Sequence, residues 1–227
     1  MISPTTATAD AKGCPFASNS GYATADTRQD WLKHKGIIAD ESMLSLEADS
    51  DTSKPLYFWQ IYSLIGHRPI LHIVRDFYLR VFDDSDDPEF RITFTRLGGV
   101  EYHIQRQAAY WIDSMGGGRF YHGGNHRILF HHTYNAEKVM NATGAARWMF
   151  HMRGAINAFD FSRFQDARIK PCIVDFLKVR MMKYAFEHDW IFDESDFLLE
   201  GNVEVPLGQP TSRATLLVVV RATGLAT

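Results

Sequence analysis

The sequence predicts an all-α protein built around one central domain. Apolar residues recur at helical spacing through the middle of the chain, Pro and Gly stand at the ends of these periodic stretches, and this pattern continues to about Trp190. At 227 residues the chain is long enough to bury a sizeable hydrophobic core. We therefore expect a helical domain over residues 55–190, an N-terminal extension over 1–54 and a C-terminal extension over 191–227.

The two extensions differ in composition. The N-terminal one is polar and interrupted by Gly, Ser and Asp, with apolar islands around Trp31 and at residues 43–46, which is typical of a tail that docks in places. The C-terminal one carries VEV and TLLVVV on either side of LGQPTS. This pattern predicts a short β-hairpin laid on the helical body.

The central domain opens with two predicted helices. LYFWQIYSLIG at residues 56–66 predicts a short aromatic helix, and Pro69 begins the next one, since Pro suits the first helical turn. Five apolar residues of this second helix form one stripe at helical spacing: Ile70, Ile73, Val74, Phe77 and Val81. Tyr78 lies beside the stripe, and the acidic sequence DDSDDP at residues 83–88 predicts a solvated turn.

A loop with Phe90 and Phe94 is expected next, followed by a helix over residues 100–115 that ends at the glycines 116–118. One face of this helix carries polar and aromatic side chains three or four residues apart: His103, Gln107, Tyr110 and Trp111. Two further helices are expected, over about 143–159 and over 171–188. Polar groups on an aromatic face need a partner, so we expect this face to line a binding site.

Histidines concentrate in and around residues 121–148. Five of the ten in the chain lie there or just beyond: His122, His126, His131, His132 and His151. Neutral imidazole is the commonest metal ligand. However, adjacent helical residues point about 100° apart, so only one of His131 and His132 addresses a given metal. No HExxH sequence or compact carboxylate cluster accompanies them, which argues against a zinc hydrolase.

A planar haem fits this pattern better than a bare metal ion. It needs one axial imidazole, a slot of aromatic and aliphatic side chains, and a few polar groups on the opposite face. Tyr78, His103 and Gln107 are such polar groups, and Trp148 adds an indole N–H. Hydrogen-bond donors that face a partly charged O₂ ligand would slow its release.

Several segments in order resemble the truncated, or two-over-two, globins: IVRDFYLRVFDD, DPEFRITF, HIQRQAAYW followed by GGGRFY, NHRILFHH and AARWMFHM. The resemblance covers roughly residues 56–190 and is closest to the second group of that family, with a distal His as often seen in the third. It implies a globin-like two-over-two helical sandwich that holds haem b, iron protoporphyrin IX.

The resemblance also implies roles for individual residues. His132 matches the proximal haem ligand, Tyr78 the distal tyrosine and Phe94 the aromatic residue that wedges the haem. The other matching positions are the distal His103 and Gln107, and Trp148 along the haem. Tyr110 lies on the same helix face as the distal pair, and Arg119 and Arg127 are candidates for the propionates.

Two positions depart from the family pattern. The family usually has Arg directly before the proximal His, where this chain has His131, so either His131 or His132 could bind the iron. If His132 is the ligand, His131 is a neighbour of the propionates. The interval from His132 to Trp148 is also longer than in the second group, which predicts an extra turn or loop.

These features favour a haem protein that binds O₂ and also NO or CO, in redox chemistry, NO scavenging or sensing rather than bulk O₂ transport. NO dioxygenase-like or peroxidase-like activity would need an unidentified reductase. Three alternatives stay open: a six-coordinate form with His103 on the iron, a haem-free globin-like interaction module, and a non-haem metal enzyme that uses the histidine cluster.

Charge and composition limit the partners and the location. The net charge of −3 and the lack of a Lys/Arg run argue against nucleic acid or an anionic membrane as a partner. The first thirty residues lack the apolar core of a signal peptide, and no run of 18 apolar residues occurs. We expect a cytoplasmic monomer or homodimer.

Overall fold

The computed structural model describes residues 21–193, and this part of the chain contains eight α-helices and no β-strand. The α-helices are α1 (Tyr22–Lys35), α2 (Ile61–Ile65), α3 (His67–Phe82), α4 (Pro88–Thr95), α5 (Val100–Ser114), α6 (Gly124–Phe130), α7 (Ala142–Ala158) and α8 (Ile169–Glu187). Short 3-10 helices lie at Glu41–Leu44, Phe58–Gln60, Glu137–Val139 and Phe161–Arg163, and a π-helical turn lies at His131–Asn135. The all-α prediction is confirmed, while the predicted β-hairpin falls outside the described residues.

Helix α3 is the centre of the packing, in contact with α5 on one side and α7 on the other. Its predicted apolar stripe, from Ile70 to Val81, is completely enclosed, with each of the five side chains at most 1% exposed. The helix begins at His67, two residues before the predicted start at Pro69. Proline is tolerated at this position because the backbone N–H groups of the first turn have no partner within the helix. Helix α7 in turn packs against α8.

The core that these helices enclose is largely aromatic. The bulkiest fully buried side chains come from the 3-10 helix Phe58–Gln60 and from three α-helices: Phe58 and Trp59, Phe77 of α3, Trp111 of α5 and Phe176 of α8. Each buried aromatic side chain removes roughly 150–250 Å² from water, so these few residues dominate the hydrophobic stabilisation. The predicted aromatic helix at residues 56–66 is present as the 3-10 turn Phe58–Gln60 followed by α2.

The segment with Phe90 and Phe94 is a helix and not the predicted loop. Asp87 caps α4, because its Oδ1 accepts a hydrogen bond from the backbone N–H of Phe90 at 2.9 Å, and Pro88 occupies the first helical position. Phe90 and Phe94 are both buried. The loop prediction was wrong because the Asp-Pro pair, read as the end of an acidic turn, is also a helix start.

The acidic turn before α4 is only partly solvated, contrary to the prediction. Asp84 is 4% exposed, and its Oδ2 accepts hydrogen bonds from Arg147 Nε and His151 Nε2 of α7, each at 2.7 Å. The guanidinium of Arg147 is the main reason why the pKa of Asp84 lies well below its usual range. This ionic cluster ties the α3–α4 turn to α7.

The Asp84 cluster gives a stability prediction. Asp84→Asn should lower the free energy of unfolding at pH 7 by about 1.5–3 kcal/mol, because it removes the buried carboxylate charge that Arg147 and His151 share and leaves Arg147 only the exposed Asp86 as a counter-charge. Since the pKa of Asp84 is lower in the folded than in the unfolded protein, its contribution is complete above about pH 4 and is lost as the pH falls further. The difference between wild type and variant should therefore narrow in acid.

Urea denaturation of both proteins at several pH values measures this effect. Asp86→Asn is the matched control, since its side chain is 83% exposed and lies 3.5 Å from Arg147, and it should cost less than about 1 kcal/mol. Equal losses in the two variants at pH 7 would contradict the assigned role of Asp84.

Residues 22–35 of the expected N-terminal tail form helix α1, which packs against α5, α6 and α8. Its N-terminus is held by the buried carboxylate of Asp113 on α5, which accepts hydrogen bonds from the backbone N–H of Thr24 at 3.2 Å and from its hydroxyl at 3.1 Å. The helix is thus held by polar contacts to residues far along the chain. Within the described residues, no helix has both the length and the apolar character to cross a bilayer.

Candidate functional site

A cavity of about 560 Å³ lies between α5 and the segment formed by α6 and the π-helical turn. Its volume falls within the roughly 300–1,000 Å³ of small-molecule and cofactor sites. Nine of the ten residues singled out from the sequence line it: Tyr78, Phe94, His103, Gln107, Tyr110, Arg127, His131, His132 and Trp148. The tenth, Arg119, is exposed and is not part of the wall.

Three helices form an aromatic group around His103 on the α5 side of the cavity. The ring of His103 lies 5.3 Å from that of Tyr78 on α3 and 5.9 Å from that of Phe94 on α4, centroid to centroid. Its Nε2–H donates a hydrogen bond to the Phe94 carbonyl at 3.0 Å, which fixes the tautomer because a carbonyl only accepts. Burial lowers the pKa of His103, so the ring is neutral at pH 7. A His103 that coordinated iron through Nε2 would have to give up this bond.

The remaining polar groups on this side come from the same helix faces. Burial raises the pKa of the Tyr78 hydroxyl far above its usual value, so Tyr78 keeps its proton and acts as a donor. Gln107 and Tyr110 follow His103 at spacings of four and seven residues and line the cavity with it, as the sequence predicts. Trp148 enters from α7, with its ring 4.8 Å from that of Phe77.

His131 and His132 open the π-helical turn that continues α6. This turn is closed by the hydrogen bond from the Ala136 N–H to the His131 carbonyl at 3.0 Å. Such turns are rare and occur frequently at functional sites. Together with the 3-10 helix Glu137–Val139, the turn accounts for the long interval before Trp148.

The two histidines have different surroundings. Burial is the main reason why the pKa of His131 is lowered, and its neighbours His103 and Arg106 on α5 are the next causes, so His131 lies toward that helix. His132 lies against α8, with its ring meeting the ring of Tyr184 edge-on at 4.5 Å and 83°. Both imidazoles line the cavity, with their ring centroids 5.8 Å apart.

The imidazole of His132 has an enclosed nitrogen without a partner. Its Nδ1 is shielded from solvent and has no hydrogen-bond partner among residues 21–193. Burial, with the neighbouring His131 and His188 as the next causes, lowers the pKa of His132 to about 3, so the ring is neutral. A buried polar atom left unsatisfied costs about 1–3 kcal/mol, so its presence calls for an explanation, and a role in binding a ligand is one. His132 therefore fits the role of a ligand-binding imidazole.

Basic side chains lie at the edge of the cavity. The guanidinium of Arg127 lies 5.1 Å from the ring of Tyr121 and donates a hydrogen bond to the His122 carbonyl at 3.2 Å. Arg106, which the sequence reasoning missed, lies 4.9 Å from the ring of Tyr102. Its position three residues after His103 is the signal that could have identified it.

The sequence reasoning also missed the wall that α8 provides. It consists of Phe176, Leu177, Arg180, Met181 and Tyr184, with Trp190 just beyond the helix. An arginine within an otherwise apolar helix face was the available signal, since a buried charge needs a specific partner. Between residues 21 and 193, no group of three or more His, Cys, Asp or Glu side chains is placed to hold a metal ion.

An all-helical body with a cavity lined by a neutral imidazole on one side and tyrosine, histidine and glutamine on the other has the features of a haem-binding helical protein. The model of the bacterial-like globin family matches residues 60–183, more than half of the sequence, and the chain belongs to this family. No solved structure is a significant match to the chain. Family membership supports haem as the cofactor and a diatomic gas as its ligand.

Proposed function

We propose that this globin holds haem b with His132 as the proximal ligand and binds O₂, with NO and CO as further ligands. The observation that carries the proposal is a cavity of about 560 Å³ that is lined by the neutral imidazole of His132 and by polar and aromatic side chains from several other helices. When bound, the haem supplies an iron centre that coordinates a diatomic gas. We further propose that the chain belongs with the second group of truncated globins, which its segment order and distal residues resemble.

The residues of the cavity have complementary tasks toward a flat, anionic cofactor. His132 presents a neutral imidazole, the form that binds metals. Phe94 and Trp148 give apolar surface for the macrocycle, and the guanidinium groups of Arg106 and Arg127 provide partners for its carboxylates. His131 is the neighbour of those carboxylates in this arrangement.

The opposite side of the cavity holds donors for the gas ligand. Tyr78 keeps its hydroxyl proton, while Gln107 and Trp148 carry N–H donors, and all three line the cavity. A hydrogen bond to a charged group contributes about 1.5–3 kcal/mol, so such donors retain a partly charged ligand. Slow release favours reaction of bound O₂ with NO, or sensing, over O₂ delivery. Scavenging of this kind requires a reductase that returns the iron to the ferrous state. We propose that the protein is cytoplasmic.

A haem titration tests the proposal. Addition of haemin to the purified apoprotein should produce a Soret band that saturates at one haem per chain and shifts when CO is added to the reduced protein. The control is the same titration of the urea-unfolded protein, which has no cavity. A folded protein that takes up no haem would contradict the proposal and favour the haem-free interaction module.

A further inference from the structure

The cavity wall contains a buried cation, Arg180, that is 3% exposed. Its Nη1–H donates to Asp30 Oδ2 of α1 at 2.5 Å, and its Nη2–H donates to Asn125 Oδ1 of α6 at 3.1 Å. The same oxygen of Asp30 accepts hydrogen bonds from Asn125 Nδ2 at 3.0 Å and from Lys183 Nζ at 2.7 Å. One carboxylate on α1 thus connects α6 and α8 at the cavity wall.

Arg180 also contacts the aromatic rings around the proposed ligand. The guanidinium carbon lies 5.4 Å from the ring of Tyr184 and 5.6 Å from that of Tyr110. The Tyr184 ring in turn meets the His132 ring edge-on at 4.5 Å. A continuous series of contacts therefore runs from Asp30 through Arg180 and Tyr184 to His132.

Holding α1 on α8 does not require this buried pair. A second set of contacts joins the same helices at a more exposed position, where Asp175 accepts hydrogen bonds from Trp31 Nε1 at 2.9 Å and from Lys35 Nζ at 2.7 Å. Desolvation makes a buried ion pair a poor source of stability, and its better-supported value lies in fixing one arrangement of its neighbours. The Asp30–Arg180 pair is therefore better suited to orientation than to attachment.

We infer that Asp30 and Arg180 are positioning residues, which fix the Tyr184 ring and through it the imidazole plane of His132. The inference rests on the proposed function of His132 as iron ligand. It makes α1, which the bacterial-like globin match at residues 60–183 does not include, a part of the haem site.

Four variants test the inference: Asp30→Asn, Arg180→Met, Arg180→Lys and the matched control Asp175→Asn, which breaks the other α1–α8 contact. The readouts on the ferrous holoproteins are the iron–histidine stretching band by resonance Raman spectroscopy and the rate of haem loss to an excess of a haem-scavenging apoprotein. Asp30→Asn and Arg180→Met should shift or broaden the band and speed haem loss by about tenfold or more, as outer partners of metal ligands do. Arg180→Lys should have a band and a rate of haem loss between those of Arg180→Met and wild type. Asp175→Asn should have the band and the rate of wild type.

The possible failures are distinguishable. If Asp30→Asn and Arg180→Met bind haem with the wild-type band and the wild-type rate of loss, the inference is wrong and the proposed function stands. If wild type itself shows no iron–histidine band, the proposed function fails, and the inference fails with it. Should Arg180→Met not fold, Asp30→Asn decides the matter alone, because an amide keeps the shape of the partly exposed Asp30 side chain.

Discussion

Replacement of His132 by alanine should weaken haem binding by more than about 100-fold. The variant removes the imidazole that the structure encloses with an unpartnered Nδ1, and even outer partners of metal ligands contribute about 10- to 100-fold to affinity. Haem titration of the apoprotein, followed by the Soret band, measures the loss. Added imidazole should restore part of the binding, because it can enter the space that the side chain leaves.

Two single variants are the controls for His132→Ala. His126→Ala removes an exposed histidine outside the cavity and should leave haem affinity unchanged. His131→Ala removes the adjacent imidazole on the α5 side and should reduce affinity by less than about tenfold, the value of a single solvent-accessible contact. Equal haem affinity in His132→Ala and wild type would contradict the assignment of the proximal ligand.

Tyr78→Phe should speed dissociation of O₂ from the ferrous protein by roughly tenfold to a hundredfold. This range corresponds to the loss of one hydrogen bond to a charged group, about 1.5–3 kcal/mol. Tyr78 is enclosed, and burial raises the pKa of its hydroxyl far above its usual value, so the hydroxyl keeps its proton and can donate at neutral pH. Stopped-flow measurement of O₂ dissociation gives the rate directly.

Tyr134→Phe is the matched control, since Tyr134 is 69% exposed and does not line the cavity. Its O₂ dissociation rate should equal that of wild type. If Tyr78→Phe also released O₂ at the wild-type rate, Tyr78 would not contact the ligand, and the preference for scavenging over delivery would lose its main support.

The parts of the fold that sequence periodicity predicts are the long helices with an apolar stripe. Helix α3 shows this best, because the five apolar residues of its stripe, from Ile70 to Val81, repeat at helical spacing and all five are buried. The eight-residue helix α4 is too short for such a repeat and was predicted as a loop. Helix α1 could not be predicted from its own composition, because it has no apolar stripe at helical spacing and the partners of its polar side chains, such as Asp113 and Asp175, lie far along the chain.

Most of the cavity wall could be predicted because α5 presents His103, Gln107 and Tyr110 on one face. The direction of the chain after the glycines 116–118 could not be predicted, because Gly118 has a φ of +115°, a value that only glycine adopts readily. Arg119, which follows it, lies outside the cavity. The α8 wall was missed because Arg180 is stabilised by Asp30, 150 residues away in sequence.

In an ordinary α-helix, only one of His131 and His132 could address a given metal, and the sequence predicts such a helix here. The structure replaces that helix by a π-helical turn, which hydrophobic periodicity does not reveal because its i→i+5 bonds affect only five residues. The outcome is still a separation of the two side chains, with His131 toward α5 and His132 toward α8. The family resemblance alone did not distinguish them.

Spectroscopic identification of the iron ligand is the most direct test of the proposed haem site. Resonance Raman spectra of the ferrous holoproteins should show an iron–histidine stretching band in wild type and in His131→Ala, and no such band in His132→Ala. A band that persists in His132→Ala and disappears in His131→Ala would assign the iron to His131 and contradict the proposed site.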